Sequence, residues 1–182
     1  MSLTSFAGAA NVFVHRITVV SRMNVSTLNT QSLAGVLQTG GQVAADYEAV
    51  WDAIWKQPHV PAPLLELCRL RLAQFHGATA ELGLRRDAGL APRKIDSLLA
   101  GNYFRDPDFS PAERAILEFT EIYAQDPAAI NDDMADAVKQ HFGEPGLMCL
   151  IEALGFIDGR IRLALMMSSL RAAGIPTQGA MS

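Results

Sequence analysis

The stretch LLELCRLRLAQFHGATAELGLR, residues 64–85, decides how this chain folds. Leu64, Leu65, Leu67, Leu70, Leu72 and Phe75 are more apolar residues than one exposed helical stripe requires. Their spacing therefore predicts a helix buried on most sides. Glu66, Arg69 and Arg71 lie inside the same run. A carboxylate in such surroundings is costly unless it is paired or hydrogen-bonded, so Glu66 is the residue whose presence needs a reason. The helix is expected to break at His76-Gly77 and to restart with Ala78-Thr79-Ala80-Glu81.

Outward from this stretch the pattern stays helical. Upstream, Val43, Tyr47, Val50, Trp51 and Ile54 follow three-four spacing, which predicts an amphipathic helix over residues 41–55. Prolines 61 and 63 end it and launch the central helix. Downstream, residues 92–99 read as a short helix and residues 101–109 as a loop. Ser110-Pro111-Ala112-Glu113 is a capping box with proline at the first helical position. The helix it opens carries Ile116, Leu117, Phe119, Thr120 and Tyr123 and stops at Asp126-Pro127. Asn131-Asp132-Asp133 caps another, which ends near Phe142-Gly143. Pro145 begins a long helix to about residue 173. No repeat or linker divides the chain, so the expected fold is all-α, a single domain over residues 32–182. Residues 1–31 differ: NVFVHRITVV at 11–20 is β-branched and aromatic rather than Ala/Leu-rich. They are expected to form a loosely attached arm, with Met23 as an alternative start.

Composition narrows the function classes. At 182 residues, with 49% hydrophobic and 19% charged residues, the chain can bury a substantial core and reads as an ordinary globular protein. A net charge of -4 and the lack of a Lys/Arg run argue against a nucleic-acid partner. No apolar run approaches the roughly 18 residues of a membrane-spanning helix, so no membrane partner is expected. Cys68 and Cys149 fall in apolar helical patterns, where reduced core cysteines are commoner than a disulfide. A cytoplasmic location follows as an expectation. His15, His59, His76 and His141 are scattered without metal-ligand spacing, so no metal and no cofactor are expected.

The last helix carries a polar thread. Glu152, Asp158, Arg160 and Arg162 interrupt an otherwise apolar run. Asp158 and Arg162 are spaced to pair along one face. The others need partners from another helix or subunit, and contact of Arg69 or Arg71 with Glu152 or Asp158 is expected.

The run Glu66-Leu-Cys-Arg-Leu-Arg-Leu-Ala-Gln, then Gly77, resembles the carboxymuconolactone decarboxylase and alkylhydroperoxidase-D superfamily. Glu113-Arg-Ala-Ile-Leu-Glu-Phe-Thr-Glu and Asp158-Gly-Arg-Ile-Arg-Leu-Ala-Leu extend the resemblance over residues 40–168. It implies an alkylhydroperoxidase-D-like helical bundle assembled as a homo-oligomer, trimer or hexamer, with a site near a subunit interface. In the peroxidase branch a glutamate precedes a Cys-x-x-Cys pair, with a histidine four residues beyond. Glu66 matches that glutamate, whereas Ala78, Glu81 and Arg85 occupy the two cysteine positions and the histidine position. Thiol–disulfide exchange needs an attacking thiolate and a resolving thiol, and neither residue supplies one. An alkyl hydroperoxide reductase-type antioxidant is thus the least favoured reading.

The decarboxylase branch works by proton transfer without a cofactor. For that chemistry Glu66 and Glu81 are the candidate acid and base. Arg85 is the candidate clamp for a small anionic organic molecule, and His76 is a candidate donor or base near neutral pH. Each has a plainer role. Glu66 can be a buried structural carboxylate held by arginine, and Glu81 can stabilise a helix start. Arg85 can belong to a solvated face, and His76 can cap a helix. Two functions stay open: a cofactor-free enzyme, or a non-catalytic oligomer that binds a small ligand or serves as structure. Whether Glu66, Glu81 and Arg85 converge on one cavity separates them.

Overall fold

The computed structural model describes residues 40–173, together with Leu33 and Leu37, with side chains through residue 169. The expected arm at 1–31 lies outside the described residues. Among those described there is no strand, and the fold is all-helical. The helices are α1 (Gln42–Lys56), α2 (Ala62–Phe75), α3 (Thr79–Gly83), α4 (Pro92–Leu99), α5 (Pro111–Gln125) and α6 (Asp132–Ala173). A 3-10 turn, Pro127–Ala129, joins the last two.

α2 is the central helix. Leu65, Leu67, Cys68, Leu70, Leu72 and Ala73 are all fully buried, which follows from the absence of any polar face wide enough to meet water. It packs against α5 and α6, and these pack on each other. Ile116, Leu117 and Phe119 of α5 and Leu150, Leu154 and Ile157 of α6 complete the core. α1 closes one side through Trp51, whose ring lies 6.3 Å from that of Phe156.

The local stops match their chemistry. α2 ends in a Schellman turn, with Ala78 N–H donating to the Ala73 carbonyl and Gly77 N–H to that of Gln74. Gly77 sits at φ 63°, a left-handed conformation that glycine adopts without a Cβ penalty. Ser110 and Glu113 form the reciprocal capping box at the start of α5. α6 is broken at Gly143 (φ 68°, ψ 178°), two residues before Pro145. The break divides it into an approach segment and a long segment that crosses the core.

Some large apolar side chains remain outside the core. Trp51 is 5% exposed and used within the fold, whereas Val43, Val50, Phe104, Met148, Ile151 and Met166 stand open. No helix among the described residues is long and apolar enough to cross a membrane.

Candidate functional site

Glu66 is completely buried, and its carboxylate is fully engaged. Arg69, one turn along α2, donates from Nε to Oε2 at 2.7 Å and from Nη2 to Oε1 at 2.8 Å. This is the two-point fork that makes arginine a better carboxylate partner than lysine. The Arg86 backbone N–H donates to Oε1 at 3.1 Å. Arg69 is itself 1% exposed, so both charges are removed from water. Such a pair persists only where the remaining N–H groups are satisfied. They are: Nη1 donates to the Glu81 carbonyl at 3.0 Å, and Nη2 to the Leu84 carbonyl at 2.9 Å.

Arg69 thereby ties α2 to α3 and to the loop that follows. Glu81, in the first turn of α3, reaches the same guanidinium at 3.4 Å through Oε2, a long contact beside the two to Glu66. The sequence brings Glu66 and Glu81 to one arginine, with the cation between them.

Arg85 and His76 lie elsewhere. Arg85 is exposed and folds back on its own loop, donating to the carbonyls of Leu82 and Leu84. It lines a shallow depression of about 310 Å³ beside Asp87 and Asp96, without Glu66 or Glu81. The three residues therefore do not converge on that depression, and the acids there offset the cation. His76 caps α2, and its Nε2 is hydrogen-bonded to Asp158 Oδ1 across 82 positions of sequence. The other oxygen of Asp158 accepts from Arg162 Nε at 2.7 Å.

The expected contacts of Arg69 and Arg71 with the polar thread of α6 are not made. Arg69 is saturated within its own stretch, and Arg71 donates from Nε to Glu121 of α5 at 2.6 Å. Arg160 instead crosses to Glu48 of α1, at 2.8 and 3.3 Å, with its guanidinium 4.5 Å from the Trp51 ring centre. Arg86 lies over the same ring at 5.1 Å. Desolvation, and then the charges of Arg160 and Arg69, lower its pKa from the ordinary value. This cluster is not among the contacts expected from the sequence. The sequence shows only its parts: Tyr47-Glu48 one turn before Trp51, and an arginine inside an apolar run of α6.

The thiols are poorly placed for redox work. Both cysteines are free. Burial pushes the Cys68 thiol up to about 12, and burial together with Glu152 pushes Cys149 up as well. Both changes disfavour the thiolate that attack requires. Among the described residues no group of three or more His, Cys, Asp or Glu side chains is arranged to hold a metal ion. A scan of the chain against protein-family models returns no match, and a search of curated proteins returns none.

Proposed function

We propose that the chain is a non-catalytic, small-ligand-binding member of the carboxymuconolactone decarboxylase-like helical proteins, working as a homo-oligomer in the cytoplasm. In it the glutamate at the family's functional position has become structural. One observation carries this reading: both oxygens of the fully buried Glu66 are occupied by Arg69, and one also by the Arg86 amide. A general base must reach the proton it removes, and Glu66 is fully buried and lines neither the depression beside Arg85 nor the groove between α1 and α6. Thiol-dependent hydroperoxide reduction is expected to be absent, because Ala78 and Glu81 occupy the thiol positions and Cys68 is buried and protonated.

Chemical denaturation of two variants tests the structural role. Glu66→Gln keeps the shape but leaves the buried guanidinium with the long 3.4 Å contact to Glu81 as its only carboxylate partner, and is expected to cost about 3–5 kcal/mol. Glu81→Gln loses only a long contact while its backbone carbonyl still accepts from Arg69, so a loss of about 1 kcal/mol is expected. Equal, small losses in both would overturn the reading.

A second reading, cofactor-free proton transfer on a small anionic substrate, draws on the His76–Asp158 hydrogen bond. A carboxylate that fixes an imidazole is a common acid–base arrangement. Under that reading His76→Gln lowers turnover of an enol or lactone substrate by about 100- to 10,000-fold with little change in melting. Unchanged turnover removes it.

A further inference from the structure

α1 and the long segment of α6 leave a groove of about 380 Å³ between them, within the range of small-molecule sites. Its walls are apolar. Val50 and Ile54 of α1 face Met148 and Cys149 of α6, and Val50 and Met148 are each nearly half exposed, at 46% and 48%. Methionine adapts its shape to what it meets, so this lip tolerates a range of small apolar bodies.

The polar groups define the other half of the ligand. No lysine or arginine lines the groove, and its formal charge is that of Glu152. That carboxylate takes part in no hydrogen bond or salt bridge among the described residues. Gln57 is not available, because its amide is committed to the backbone of His59 and Val60. Cys149 presents a neutral thiol, which suits contact rather than covalent attack. His59 stands exposed at one end. Glu152 is exposed, so water already solvates it; a carboxylate ligand would still meet its repulsion, whereas an ammonium gains a modest attraction that a neutral ligand lacks.

We propose that this groove binds a small hydrophobic amine, its ammonium paired with Glu152 and its hydrocarbon body held between Val50 and Met148. This rests on the ligand-binding part of the function proposed above and is independent of the structural role of Glu66. A charge-assisted hydrogen bond supplies the selectivity, and apolar burial supplies the remainder of the affinity.

Calorimetric titration of the full chain at neutral pH with cyclohexylmethylamine, cyclohexylmethanol and cyclohexanecarboxylate tests it. The amine is expected to bind about two- to fivefold more tightly than the alcohol, the gain of one solvent-exposed ion pair, with the carboxylate weakest. Glu152→Gln is expected to erase the preference for the amine, and Val50→Trp, which fills the groove, to abolish binding of all three. Bound amine is also expected to slow alkylation of Cys149 by N-ethylmaleimide. Equal binding of the three probes, tighter binding of the carboxylate, no binding of the amine, or an amine preference that survives Glu152→Gln would each overturn the proposal. So would light scattering in which Val50→Trp dissociates the native oligomer, because a second copy would then occupy the groove.

Discussion

Single residues in this protein are decided by the company their charges keep. Glu66 and Arg69 are three apart on one helix, a spacing that on a solvated surface contributes a few tenths of a kcal/mol. Buried, the same spacing becomes an obligation, because either charge alone would face a desolvation penalty of several kcal/mol. Leucine on all sides of Glu66 already showed that its carboxylate needed a partner. Identifying that partner required the distances, since Arg71 and Arg85 were equally present in the sequence and turn elsewhere. The cysteines differ by the same logic of burial. Cys68 has no exposed surface, while Cys149 is only partly covered. In the native protein, N-ethylmaleimide is expected to label Cys149 slowly, with its rate rising as alkaline pH forms the thiolate. Cys68 is expected to label only on unfolding. Mass spectrometry of peptides after timed labelling checks this, and rapid native labelling of Cys68 would contradict the packing of α2 against α5.

At the scale of elements, short-range chemistry was readable and long-range pairing was not. The proline and glycine stops, the capping box at Ser110 and the break before Pro145 are local rules, and each occurs where the sequence places it. The cap invites a quantitative test. Ser110→Ala removes a hydroxyl that accepts from the Glu113 amide and is expected to cost about 0.5–2 kcal/mol. Glu113 adds a pH dependence. Burial alone would raise its pKa, but hydrogen bonds from Lys94 and the Ser110 amide outweigh it, and the net shift is downward from 4.5. A carboxylate depressed in the folded state contributes stability that is complete above its unfolded value and is lost as pH falls through the folded one. Denaturation midpoints are therefore expected to fall below about pH 4.5, and Glu113→Gln to flatten that part of the profile. A wild-type slope in the variant would assign the acid sensitivity to other groups. In contrast, His76–Asp158 and Arg160–Glu48 join residues 82 and 112 positions apart, and no local rule connects them.

At the scale of the whole molecule, the described residues form an all-helical bundle in which α2 is both core and tether. Its all-α class and the order of its helices were legible because long apolar runs of helical character are punctuated by proline, glycine and capping stops. The candidate site was legible only in part. The sequence singled out Glu66, Glu81, His76 and Arg85, yet fold geometry joins the first two through Arg69, sends His76 to α6 and leaves Arg85 on its own loop. Arg69 also holds the Glu81 and Leu84 carbonyls, so the pair fixes the position of the loop that follows α3 as well as neutralising itself. A double-mutant cycle of Glu66→Gln and Arg69→Met, followed by urea denaturation, measures that coupling directly. Each single change is expected to cost several kcal/mol, and the double variant much less than their sum, leaving a coupling of about 2–3 kcal/mol. A coupling below about 0.5 kcal/mol, with single variants as stable as the wild type, would contradict a structural role for Glu66.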